Sequence, residues 1–125
     1  MQDTAPFAAP RLRLRLTLAP GQWLGPGKAD LLQWIAETGS IAAAGRRMGM
    51  SYKRAWGLAE ALNAMFPAPL VVANRGGAGH GGATLTPVGH EVLALYRTMQ
   101  ARAETTLAPE IDQLGALSRD MSTRT

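Results

Sequence analysis

A chain of 125 residues with 46% hydrophobic side chains is sized for one domain with a modest core. Cysteine is absent, which excludes disulfides and thiolate metal sites and fits a cytoplasmic protein, and no apolar run is long enough to span a bilayer. The net charge is +4 and unevenly placed: residues 40–82 hold Arg46, Arg47, Lys53, Arg54 and Arg75 against Glu60 alone, the electrostatic footprint of a polyanion partner rather than of an enzyme or a membrane protein.

Residues 1–10, MQDTAPFAAP, lack the basic and apolar regions of a signal peptide and read as a loose arm. Arg11 to Leu18, RLRLRLTL, alternates strictly, which predicts a half-buried strand with Leu12, Leu14, Leu16 and Leu18 on one face and Arg11, Arg13, Arg15 and Thr17 on the other. Ala19-Pro20-Gly21 turns the chain, and Leu24-Gly25-Pro26-Gly27 is a second breaker. A helix is expected from Lys28 to Thr38, with Leu31, Leu32, Trp34, Ile35 and Ala36 apolar and Gly39 as its stop.

The stretch Ser40 to Phe66 organises the chain. Ser40 is a natural N-cap for a helix through Ala42, Ala43 and Ala44, whose small side chains permit close approach. Met48-Gly49-Met50 closes that helix, because Gly49 can take the left-handed conformation without a Cβ penalty. Ser51 caps a second helix over Tyr52–Met65 whose buried stripe is Ala55, Leu58, Ala59, Leu62 and Met65. Two short helices with this turn are a helix-turn-helix, in which the N-terminal residues of the second helix meet base edges in the major groove. Lys53 and Arg54 suit guanine, and Ser51 and Tyr52 suit phosphates or bases. Trp56 lies one turn after Tyr52 and can stack on it; core packing and a groove-edge contact are equally open.

Pro67-Ala68-Pro69 stops the second helix. Leu70–Ala73 and Ala83–Thr86 are β-prone runs joined by the glycine-rich RGGAGHGG, a hairpin in the position of a wing. Arg75, Gly76, Gly77 and His80 are its candidates for backbone contact. No Gly-Lys-Ser/Thr ends the loop and no helix follows it directly, so it is not a nucleotide-binding loop. Thr86 caps, and Pro87 opens, a last long helix whose apolar Val92, Leu93, Leu95, Tyr96, Met99 and Ala103 exceed what one domain covers, so Leu93, Tyr96, Met99 and Ala103 are assigned to a homodimer contact. Pro109 is expected to break this helix, leaving residues 109–125 as a short helical tail with a frayed end. The expected fold is α+β, mainly helical: a winged helix-turn-helix over residues 11–108 with an N-terminal strand, a hairpin wing and a long C-terminal dimerisation helix.

The run Gly39-Ser40-Ile41, Ala43-Ala44, Met48 through Lys53 and Ala55-Trp56, the wing glycines and Leu85-Thr86-Pro87-Val88-Gly89 resemble the N-terminal DNA-binding domain of the ModE family, the molybdate-responsive transcription regulators. The similarity covers about residues 11 to 107. It implies a winged helix related to that of LysR-type regulators, a homodimer formed partly through the long last helix, and DNA contacts from Ser51, Tyr52, Lys53 and Trp56 at the recognition helix and from Arg75 with the glycines in the wing. Family members that sense molybdate carry C-terminal oxyanion-binding domains of small β-barrel type. This chain ends soon after the long helix, so it is either a stand-alone version or a fragment, and molybdate binding by it is not expected.

The function expected is therefore sequence-specific binding of double-stranded DNA, without a cofactor, by Ser40, Arg46, Arg47, Ser51, Tyr52, Lys53, Arg54, Trp56, Arg75 and the wing. The alternative is a winged-helix interaction module that acts through a partner regulator; the localised charge favours DNA. An enzyme would need a nucleophile and base or a metal set, and His80 and His90 lie in different elements with no acids clustered beside them.

Overall fold

The computed structural model describes residues 11–75 and 81–124. Within them the chain forms two antiparallel hairpins and four helices: β1 (Leu16–Ala19), β2 (Gln22–Leu24), α1 (Pro26–Thr38), α2 (Ile41–Arg47), α3 (Tyr52–Ala64), β3 (Val71–Arg75), β4 (Gly81–Leu85) and α4 (Pro87–Arg124). This is the α+β, mainly helical winged-helix architecture. The expected arm over residues 1–10 lies outside the described residues.

Helix ends follow local chemistry. The Ser40 hydroxyl accepts from the Ala43 amide at 3.0 Å, and the Ser51 hydroxyl from the Arg54 amide at 3.1 Å, each satisfying an orphan donor of the first turn. Between the two helices Gly49 has φ +70°, the left-handed state that lets the chain reverse in so few residues. The crossing itself is tight: a Cβ on Gly45 would lie 2.9 Å from Cβ of Ala55, so the pair of small residues sets the separation of α2 and α3. Leu31, Leu32 and Ile35 of α1, Ala44 of α2 and Ala55 and Leu62 of α3 are fully buried together with Leu70.

The hairpin after α3 is fixed by one side chain. Asn63 Nδ2 donates to the Val71 carbonyl at 2.9 Å, and its Oδ1 accepts from the Leu70 and Val71 amides at 2.8 and 3.0 Å. β3 and β4 then pair in register from Val71↔Leu85 to Arg75↔Gly81. The Thr86 hydroxyl donates to the Pro69 carbonyl at 2.7 Å and accepts from the Gly89 amide at 3.0 Å, so the residue that caps α4 also ties it to the end of the α3–β3 loop.

Three expectations need correction. The N-terminal ladder starts only at Leu16, not Arg11, and a bulge between Thr17 and Ala19 turns Leu18 out, 52% exposed. Arg11–Arg15 still alternates in burial, but its partner is a helix: Leu12 N–H donates to Glu104 Oε2 (2.8 Å), Tyr96 O–H donates to the Leu14 carbonyl (2.8 Å), and Arg11 pairs with Asp112 (3.0 Å). β2 was not expected because three residues are too few to show a period. Finally, α4 does not break at Pro109 but continues to Arg124. A proline removes one i→i−4 bond and crowds one carbonyl; here Thr105, Thr106 and Pro109 are all exposed, so water can take the freed carbonyl.

Candidate nucleic-acid interface

The outward side of α3 splits into two faces. The first carries Ser51, Lys53, Arg54 and Gly57, with Leu58 at its edge, around a shallow hollow; Ser51, Lys53, Arg54 and Gly57 are exposed. No acid lines that hollow. Ser51 is committed to capping, while the two cations project from the first turn of the helix.

The second face turns toward the wing. Tyr52 and Trp56 stack, with ring centroids 6.3 Å apart and planes at 26°. They are 58% and 37% exposed, so Trp56 is a surface residue and the core alternative falls. The two rings form one wall of a cleft of about 300 Å³ whose other walls are Ser40, Ile41 and Ala42 from the start of α2 and Ala73, Asn74, Gly82 and Ala83 from the loop-side half of the β3–β4 ladder. The wing is held there by a hydrogen bond from the Ala83 amide to the Gly39 carbonyl, 2.8 Å. A Cβ on Gly82 would lie 3.2 Å from that same carbonyl. A smaller hollow of about 160 Å³ continues past Trp56 to Glu60 and Asn63.

The structure thus gathers Ser51, Lys53 and Arg54 on one face and Ser40, Tyr52 and Trp56 on the other. It does not gather Arg46 and Arg47 with either. Both are exposed in the last turn of α2, where a cation complements the negative end of the helix dipole, and the Arg47 guanidinium lies 4.9 Å from the Trp34 ring centroid. Gly76, Gly77 and His80 lie outside the described residues, as does the side chain of Arg75. Gly82 belongs to the glycine-rich run expected to form the wing, but Asn74 was missed by sequence reasoning; the only signal was its place just before that run.

The residues assigned to dimerisation also divide. Tyr96 is 1% exposed, so it is not available to a second chain, whereas Leu93 packs against the core and stays partly exposed. The Tyr96 phenol is held above its ordinary value of 10.0, chiefly by burial. Met99 is exposed and Ala103 half-buried, and no residue between 97 and 118 is buried. Along this part of α4, Leu95, Leu107, Leu114 and Leu117 are exposed. Ala103, Leu107, Leu114 and Leu117 fall on one stripe at helical spacing.

Elsewhere the chemistry is sparse. Among the described residues no group of three or more His, Asp or Glu could hold a metal ion, and no helix is long and apolar enough to cross a membrane. Lys28 is nearly buried without an acid: its ammonium donates to the Trp23 carbonyl at 2.9 Å and lies 3.9 Å from the Trp23 ring centroid, with the Arg15 guanidinium 4.0 Å from the same centroid. Burial, and then the Arg15 charge, lower its pKa.

Comparison with known proteins adds the relationship. The chain matches no protein-family model. It is 44% identical over 81 residues to the molybdenum-pterin-binding protein MopB of Rhodobacter capsulatus, 65% of this chain and 30% of that protein. It is 37% identical over 83 residues to the DNA-binding transcriptional dual regulator ModE of Escherichia coli K12, 66% of this chain and 32% of that one. The chain belongs to the ModE family. The molybdenum transport protein ModE of Azotobacter vinelandii, 35% identical over 95 residues, gives the same picture, with 76% of this chain and 35% of the relative covered. The chain therefore spans about a third of the length of the ModE-family relatives it matches.

Proposed function

We propose that this ModE-family chain is a sequence-specific DNA-binding transcriptional regulator that works as a homodimer. The observation that carries the reading is the exposed, acid-free face at the start of α3, where Ser51 caps the helix and Lys53 and Arg54 project. A helix presented by a helix-turn-helix enters the major groove by its N-terminal end, and Arg and Lys match the acceptors of guanine there. Arg46 and Arg47 add long-range attraction, and Arg75 follows at the loop end of β3. Regulators named ModE among its relatives support the regulatory role; a link to molybdenum-dependent genes rests on the same names.

The dimer is proposed through the part of α4 beyond Tyr96, with Met99, Ala103, Leu107, Leu114 and Leu117 as its contact residues. Tyr96 leaves that list because it is buried in the core, and Leu93 stays at its edge, packed on the core by one side only.

The test is fluorescence anisotropy with labelled duplex from the gene's own promoter and with a scrambled duplex, at two salt concentrations, with and without molybdate. Tight, salt-sensitive binding that prefers the promoter is expected, unaffected by molybdate. Lys53→Ala should flatten the salt slope by about one unit if the ammonium holds a phosphate, or cost about 1–3 kcal/mol at one base position if it reads a base. No binding to either duplex at low salt would overturn the DNA reading in favour of an interaction module.

A further inference from the structure

The cleft between α3 and the wing has a chemistry that the basic face does not share. Its apolar lining is Ile41, Ala42, Ala73 and Ala83. Its rim carries neutral donors. The Tyr52 hydroxyl, the Asn74 carboxamide and the Trp56 indole N–H have no hydrogen-bond partner among the described residues. Ser40 Oγ accepts from the Ala43 amide and keeps its own O–H to donate. Among the described residues no acid lines the cleft, and Glu60 lines only the neighbouring hollow beyond Trp56, so the end bounded by Ser40, Tyr52 and Asn74 is the end that tolerates negative charge. Asn74 faces Gly82 across the β3–β4 ladder, so no opposing side chain covers it.

We propose that this cleft seats one sugar–phosphate unit of the DNA strand that passes between α3 and the wing, with Asn74 and Tyr52 donating to its phosphate. The inference rests on the DNA reading above and extends it to a site outside the basic face. Three features carry it. The volume of about 300 Å³ is larger than a phosphate alone needs and leaves room for the deoxyribose, which packs against the alanines. The donors are neutral, which suits a phosphate oxygen whose charge is balanced elsewhere. The cleft flanks α3 on the wing side, away from Lys53, Arg54 and Gly57, so it addresses the backbone at the groove edge rather than the bases on the groove floor.

Neutral donors have a distinct signature. Asn74→Ala and Tyr52→Phe should each weaken binding roughly two- to tenfold, the worth of one neutral hydrogen bond, equally on promoter and scrambled duplex. The salt slope should stay unchanged, in contrast to a lysine–phosphate contact. The decisive experiment walks a single methylphosphonate along each half-site. Wild type should lose affinity at one linkage per half-site beside the wing, and Asn74→Ala should lose less at that linkage and as much as wild type at every other, a coupling that only direct contact gives. Asn74 is exposed, and circular dichroism confirms that each variant is folded.

If Lys53→Ala is weakened while Asn74→Ala and Tyr52→Phe bind like wild type, the cleft is not a phosphate seat, although the DNA reading stands. If their losses fall at one base pair and not on scrambled duplex, the cleft reads a base and the proposal is overturned. If the folded wild type binds no duplex, both readings fall together.

Discussion

Two residues show how far one side chain can decide the fold. Tyr96 closes the core, and its hydroxyl donates a hydrogen bond to the Leu14 carbonyl, 82 positions away in sequence. Its phenol is raised above 10.0 by burial, so the folded state holds the proton more tightly than the unfolded chain. The stability this contributes is complete below the unfolded value and is lost as pH rises from about 10 through the folded value. Chemical denaturation of wild type should therefore show stability falling in alkali. Tyr96→Phe should be less stable at neutral pH by about 1 kcal/mol for the lost bond and should lack the part of the alkaline fall that wild type owes to this phenol. Gly89 is the second case. A Cβ there would run into the Leu70 carbonyl oxygen, and that oxygen already accepts from the Thr86 amide at 2.9 Å. Gly89→Ala must push α4 off the wing, and thermal unfolding should show a loss of about 1–3 kcal/mol or more.

At the scale of elements, the helix-turn-helix and α4 behave differently. α2 and α3 are short and depend on their caps, so Ser51→Ala should cost about 1 kcal/mol and fray the turn that presents Lys53. An unchanged melting temperature would show that packing of Ala55, Ala59 and Leu62 alone sets that end. α4 is roughly 57 Å long at 1.5 Å per residue, and its length outlasts the domain. It tolerates Pro109 because flanking turns continue the helix while the freed carbonyl faces water. Pro109→Ala restores the missing bond, so hydrogen exchange should show stronger protection over residues 106–114 and none gained in α1–α3; no gain near residue 109 would mean that the proline costs the helix nothing.

For the whole molecule, the exposed leucines of α4 are the surface on which the proposed dimer is tested. Leu114 is 68% and Leu117 60% exposed, on a part of the helix that no element among the described residues buries. A second copy covering Ala103, Leu107, Leu114 and Leu117 would bury them and place two recognition helices on one duplex. Wild type should sediment as the proposed dimer and Leu107→Glu with Leu114→Glu as a monomer with its circular dichroism retained, and promoter affinity should fall with it. A variant that sediments like wild type would place the dimer contact elsewhere.

Sequence by itself determined what is local. Ser40 and Ser51 as caps, Gly49 as the turn, the α3 stripe of Ala55, Ala59 and Leu62, and Thr86-Pro87 as the start of α4 are each set by a residue and its neighbours within a turn of helix, and periodicity or cap chemistry exposes them. The alternation of Leu12, Leu14 and Leu16 showed which side of that segment is covered, but periodicity is blind to what covers it, and the cover is α4 rather than a sheet. Tertiary structure alone decided that Tyr96 serves the core, that Asn63 pins the wing, that Lys28 rests against Trp23, and that Ser40, Tyr52, Trp56 and Asn74 meet in one cleft. Most of those outcomes join groups far apart in sequence, and all depend on the angle at which whole elements pack, which no short window of residues encodes.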